Sequence, residues 1–364
     1  MKVALIIIGV CLVIGLIFIV TWIRQFTGKV DPDYLIDYLK HNENTSLTVY
    51  RNGETLAAVR EDDMFPLAST VKTIVAIEYA RQCEEKKIDP SHNVSLGELD
   101  QYYIPDTDGG AHISWLDYSK EHGLLLGDST NLENVVKGMI LFSSNANTEY
   151  LMELLGIDEI NGSLDEMGIE KHEALYLIVG AMLVPTYFKL NHPSYTDDYI
   201  ESKIKEMSKE DYIQVSQVVS NELKKGEKDT YIENLHTSDS LQRIWSDRLT
   251  RSTTSEYATL MEKLNSKTFF KKETQQRLDS VMEGLMENPK NRKWLKHAGQ
   301  KGGATAFLVT NAAYATDKEG NSTEVAFFTD DLEAAEMEKI FNNLNEFILK
   351  VLRDEDLRKK LEKL

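Results

Sequence analysis

Cysteine and proline are both scarce in this 364-residue chain, which has two Cys and seven Pro. Cys11 lies in an apolar run and Cys83 in a distant helix-patterned stretch, so no disulfide framework is expected. Collagen-like and proline-rich architectures are excluded for the same reason. Positive charge is also short, with 41 basic against 59 acidic side chains and a formal net charge of −18. Residues 1–29 hold Lys2, Arg24 and Lys29 and no acid, so the other 38 basic and 59 acidic side chains leave −21 on the rest. A body that acidic repels phosphate backbones, and no basic patch is dense enough to offset it. This argues against a nucleic-acid partner. Internal repeats and low-complexity segments are missing too. What is present is a 42% hydrophobic composition, ample for a real core at this length.

One hydrophobic run is long. Val3 to Ile23 reads VALIIIGVCLVIGLIFIVTWI without a charge, and a helix of that length spans about 31 Å, close to a hydrocarbon core. Trp22 and Arg24 close it with interfacial residue types. A cleaved signal peptide is the rival, but no A-x-A-like site follows near residues 20–30. The expectation is therefore an N-terminal transmembrane anchor over 1–29 and one domain over 30–364.

Within that domain, DPDYLIDYLKHN has helical spacing, and SLTVYRNG with ETLAAVRE alternates around an Asn-Gly turn, predicting a hairpin. The spacing turns helical after Pro66. Asn131–Leu155 predicts one helix, or a pair broken near Phe142. Residues 200–290 are almost wholly helical in pattern, with no proline between Pro193 and Pro289. HAGQKGGATAFLVTNAAYATDKEGNSTEVAFFTDD then predicts two strands, followed by an amphipathic helix Leu332–Leu352 and a solvated charged end, DEDLRKKLEKL. Strands from both ends of the chain must share one sheet beside many helices, an α/β (α+β) arrangement.

Three polar constellations carry chemistry. Ser69-Thr70-Val71-Lys72 enters a helix with Ser69 and Lys72 one turn apart on one face. A lysine whose pKa falls through burial and nearby positive charge can take a serine's proton, and the helix start offers N–H groups to an oxyanion. Alone, the pair reads as well as an N-cap and a surface lysine. Ser143-Ser144-Asn145 interrupts an apolar run, either as a helix N-cap or as a hydroxyl proton relay (Ser143) with an amide (Asn145) for a substrate carbonyl. Lys301-Gly302-Gly303-Ala304-Thr305 precedes an apolar strand, where glycines permit close approach and Lys301 supplies charge for a substrate carboxylate. Asp106, Asp108, His112 and Asp117 fit no zinc signature. Their loop is instead expected to wall a cleft with Tyr103 or Trp115.

Taken together, S-x-x-K, S-x-N and K-x-G in this order form the set of the serine penicillin-recognising proteins. The sequence resembles the class A β-lactamase and D-Ala-D-Ala peptidase superfamily over roughly residues 40–350. The resemblance implies an antiparallel five-stranded sheet with helices, beside an all-helical subdomain, and a site between them. It makes Ser69 the acylated nucleophile, Lys72 its base, Ser143 a proton relay, and Asn145, Lys301, Gly303, Ala304 and Thr305 substrate-binding. The oxyanion hole would be the N–H groups of Ser69 and Ala304. No cofactor or metal is implied. The implied substrates are β-lactams or cell-wall peptides, met outside the cytoplasm on a single-pass cell-membrane anchor.

Departures from that set are specific. Ser144 stands where Asp is usual, and Gly302 where a hydroxyl residue is usual, with Thr305 or Arg251 as replacements. The Glu-x-x-Leu-Asn loop that activates the deacylating water is missing. EALYLIVGAMLVPTYFKLNHP offers only Glu173, expected as a solvated helix-start residue. A helical insertion near 195–245 has no counterpart in a minimal β-lactamase. Acylation without fast β-lactam hydrolysis follows, with a penicillin-binding sensor or scaffold as the alternative to an enzyme.

Overall fold

The structure, a computed structural model, describes residues 31–364. The expected apolar span Val3–Ile23 lies outside the described residues. Among the described residues, no helix is long and apolar enough to cross a membrane.

The predicted hairpin forms as β1 (Thr45–Arg51) and β2 (Glu54–Val59). Asn52 and Gly53 both take positive φ, 54° and 79°, as a tight two-residue hairpin turn demands. Three C-terminal strands follow far downstream: β3 (Leu295–Ala304), β4 (Val309–Asp317) and β5 (Ser322–Thr329). They join the hairpin in one antiparallel sheet of order β2-β1-β5-β4-β3. The sequence pattern predicted two strands here, and the one it missed, β3, carries Lys301. Its residues Leu295–Ala304 include three glycines and no β-branched side chain, so propensity does not mark it. Pairing with β4 makes the strand, from Leu295↔Asp317 to Ala304↔Val309. Gly299 is required there, because a Cβ would lie 2.7 Å from the Tyr314 ring.

Five helices position the site: α1 (Asp33–His41), α2 (Lys72–Glu84), α3 (Asn145–Leu155), α4 (Thr254–Ser266) and α5 (Ala334–Arg353). Strand alternation sends Leu47, Val49, Val325 and Phe327 to one face, where α1 and α5 cover them. Ala312, Tyr314, Ala326 and Phe328 point the other way, into a larger core shared with α2 and α4. The charged end is not simply solvated. Glu355–Leu361 forms a short helix whose Leu357 and Leu361 are buried in the α1/α5 layer. The stretch expected as an insertion forms helices between Asp197 and Arg248 and shares an apolar cluster that includes Ile200, Ile204, Tyr212 and Leu241.

Candidate active site

Between Pro66 and α2 the chain makes a tight 3-10 turn, Ala68–Val71. Ala68 sits at φ 43°, a left-handed conformation costly for a residue with a Cβ. This turn presents Ser69 at its edge, half-buried, and delivers Lys72 into the core one turn later at 0% exposure. Threonine hydroxyls fasten the turn to the sheet. Thr70 Oγ1 lies 2.8 Å from Thr310 Oγ1, which donates to the Leu67 carbonyl at 2.8 Å. Gly303 completes the junction. A Cβ there would lie 2.5 Å from the Ser69 nitrogen and 2.8 Å from the Leu67 oxygen. The strand end and the Ser69 N–H can meet only because that Cβ is missing.

The second constellation breaks a helix, so of the two alternatives for Asn131–Leu155 the broken pair forms. After the wide turn Gly138–Phe142, Ser143 takes φ 71° and α3 restarts at Asn145. Lys72 Nζ donates to the Ser143 carbonyl (2.7 Å), Asn145 Oδ1 (2.8 Å) and Ser143 Oγ (3.3 Å). From β3, Lys301 Nζ donates to the same Ser143 hydroxyl at 3.0 Å and to the Gly302 carbonyl at 2.7 Å. Two lysines from distant segments thus bracket one serine. Burial pushes the Lys301 ammonium down to about 7. Lys72 falls well below the usual lysine range, first through burial and then through the neighbouring Lys301 charge.

Ser144 caps α3, accepting from the Asn147 N–H at 3.2 Å, and lies 2.9 Å from His112 Nδ1. Burial lowers the His112 pKa, so a neutral ring meets a neutral hydroxyl. That pairing accommodates serine where the related set has a carboxylate.

Ser69, Ser143 and Asn145 open onto a cleft of about 540 Å³, within the usual range for small-molecule sites. Gly302, Gly303, Ala304 and Thr305 form one wall. Lys72 and Lys301 lie beneath its floor rather than in its surface, so Lys301 does not present its charge as expected. The acidic loop does wall the cleft, through Thr107, Asp108 and Gly109. Tyr103 and Trp115 do not. Tyr103 stacks on His112, and Trp115 is fully buried with its Nε1 bonded to the Asn134 carbonyl at 3.1 Å.

Further expectations need correction. Arg251 does not line the wall; its guanidinium is bonded to Asp330 at 3.0 Å and to the Met64 carbonyl. Thr305 is in the wall, but its hydroxyl lies 2.8 Å from Ser246 Oγ. Glu173 is not a helix start, and although about a third of its side chain is exposed (34%), it is not free. It lies in an irregular segment, accepts from the Arg251 N–H at 3.0 Å and is paired with Lys209. Sequence reasoning missed Gln242, Trp245, Asn311 and Phe341, all in the wall. A signal existed only for Asn311, an amide in the apolar strand FLVTNAAYA.

A serine on a tight turn, buried lysines around a second serine, and a sheet edge closing over both define a serine-hydrolase type of site. Solved structures share the fold. A class A β-lactamase from Bacteroides cellulosilyticus superposes with a TM-score of 0.53 at 16% identity, covering 89% of this chain and 98% of its own. A β-lactamase from Sphaerobacter thermophilus gives 0.54 at 18%, covering 88% and 98%. A point mutant of PBP-A, solved as an acyl-enzyme complex with penicillin G, gives 0.51 at 14%, covering 88% and 95%. No curated protein sequence gives a significant match. The profile of the β-lactamase enzyme family matches residues 34–352, and the chain belongs to that family. It is a member of the β-lactamase-like serine hydrolase superfamily.

Proposed function

We propose that the protein cleaves amide carbonyls of the β-lactam or cell-wall-peptide kind through an acyl-serine intermediate. The observation that carries this is the Lys72–Ser143–Lys301 cluster, whose Ser143 lines the same cleft as Ser69. Lys72, its pKa lowered by burial, removes the Ser69 proton as the hydroxyl oxygen attacks the carbonyl carbon. The N–H groups of Ser69 and Ala304 receive the oxyanion, brought together by the missing Gly303 side chain. Ser143, in contact with both lysines, passes a proton to the departing nitrogen as the C–N bond breaks. Asn145 and the β3 edge hold the substrate.

Deacylation is slow in this reading. Among the described residues, Asp108 is the one carboxylate in the cleft wall, and its oxygens accept from the Gly110 and His112 N–H groups. The test is a fluorescent penicillin followed by peptide mass spectrometry. Label on Ser69, absent from Ser69→Ala, is expected; label elsewhere or nowhere overturns the assignment. Chromogenic cephalosporin should then show a burst followed by slow turnover. A burst alone would identify a penicillin-binding sensor instead.

The apolar run Val3–Ile23 supports membrane anchoring, and a cell-wall substrate requires this domain to lie outside the cytoplasm. Protease added to intact cells should degrade residues 31–364. Protection of that domain would refute a cell-wall role.

A further inference from the structure

Resting on this acyl-serine reading, we propose that the cleft selects substrates whose group over Gly302 is uncharged, an amide or ester in place of a free carboxylate, and that Asn311 recognises it. Lys301 and Gly303 face the Ser69 side of β3: Lys301 reaches Ser143, and a Gly303 Cβ would meet the Ser69 nitrogen. Alternation therefore turns Gly302 to the opposite face. Its cross-strand partner there is Asn311. A Cβ on Gly302 would lie 3.2 Å from Asn311 Nδ2, so the glycine leaves the amide open to the cleft it lines.

Asn311 is only 6% exposed, and its Oδ1 has no hydrogen-bond partner among the described residues. A buried amide without a partner costs free energy that a bound ligand can recover. The end of the amide beside Gly302 is Nδ2, or Oδ1 with the amide flipped, so it offers one hydrogen bond, which suits a neutral carbonyl or peptide group.

A carboxylate would find no such welcome. It needs a cation or several free donors once water is displaced. Among the described residues, the wall contains no Lys or Arg. Lys72 and Lys301 lie under the floor with their ammonium groups on Ser143, Asn145 and the Gly302 carbonyl. Arg251 is held by Asp330, and Arg243 by Asp247 and Asp331. The single charged residue among those described in the wall, Asp108, is negative and repels a second carboxylate. The cleft does not stop at Gly302 but runs on to Phe341, Leu344 and Asn345 of α5, leaving room for a substrate that continues beyond the neutral group.

Benzylpenicillin and its methyl ester separate the possibilities, with Ser69 acylation rates read by intact-protein mass spectrometry. The ester should acylate about tenfold faster or more, the scale of one unpaired buried polar group. Asn311→Leu, which keeps the volume and removes both polar atoms, should cut the ester-to-acid ratio at least about threefold, a fraction of one hydrogen bond. Asp108→Asn, on a different loop, should also move the ratio towards the acid, so the outcome does not hang on one buried substitution. An acid that reacts faster than the ester in the wild type overturns this inference and leaves the acyl-serine reading standing. An unchanged ratio in Asn311→Leu overturns the role of Asn311. Acylation of Ser69 by neither compound overturns both.

Discussion

At the residue scale, the site depends on one missing methyl group and one shared charge. Gly303→Ala would force a Cβ to within 2.5 Å of the Ser69 nitrogen, pushing the strand end away from the turn. Loss of one oxyanion donor costs about 100-fold or more in rate, so acylation of Gly303→Ala should fall at least that far. Its melting temperature checks that the fold survives. Lys301 acts on Lys72 through its charge, which lowers the Lys72 pKa. Lys301→Met removes that charge, so the Lys72 pKa rises and less neutral amine remains at a given pH. The pH–rate profile of acylation should shift to higher pH in this variant; a shift to lower pH would contradict the geometry. Ser69, Lys72, Ser143, Asn145 and Lys301 were legible because residue type and order point to a known chemistry. Asn311 carried a weaker signal, and Trp245 and Gln242 none, since their place in the wall comes from helix Asp239–Arg248 folding over the cleft.

At the element scale, a buried carboxylate holds one segment in place. Glu149 on α3 accepts from the N–H groups of Ile178 (2.7 Å), Val179 (2.9 Å) and Gly180 (3.0 Å). These start the one-turn helix Ile178–Met182, whose first N–H groups have no intrahelical partner. Leu175, Ile178 and Ala181 line a water-sized gap with Val71, in the turn that carries Ser69. Glu149→Ala leaves three donors unsatisfied and should lower stability by about 3 kcal/mol, measured by urea denaturation. Hydrogen exchange should rise across 174–183. A loss below about 0.5 kcal/mol, the size of an ordinary surface substitution, would show that the segment is held by packing alone. The same scale explains what pattern reading missed. The β1–β2 hairpin announces itself through Asn-Gly, and the α3 break through its polar residues. Strand β3 has neither signal, because a glycine-rich edge strand is specified by its neighbour's ladder rather than by its own side chains. Glu173 likewise looked free in sequence, and only the return of Arg251 and Lys209 from distant segments gives it partners.

At the scale of the whole molecule, two buried lysines couple stability to pH. Unfolded, a lysine keeps its proton to about pH 10.5, whereas Lys301 in the folded state releases it near 7. Between those values unfolding takes up a proton, so stability rises with pH, by at most about 1.4 kcal/mol per pH unit for each such lysine. Chemical denaturation of the wild type between pH 7 and 10 should therefore show a steeper upward slope than that of Lys301→Met. Equal slopes would mean that Lys301 keeps its proton in the folded protein.

The division between sequence and fold follows from the range of the forces involved. Composition, hydrophobic period and the three motifs determined the α+β class, the hairpin, the helical centre and the candidate for the nucleophile, because each is a local pattern that any fold of this chain must satisfy. Tertiary structure decided which groups face the cleft. It sank Lys72 and Lys301 below the floor, turned Arg251 and Glu173 away, and left Asp108 and Asn311 in the wall. Burial and charge–charge proximity act between residues 70 to 230 positions apart, as from Lys72 to Ser143 and to Lys301. Their effect on a pKa or on a substrate exists only once the chain has closed on itself.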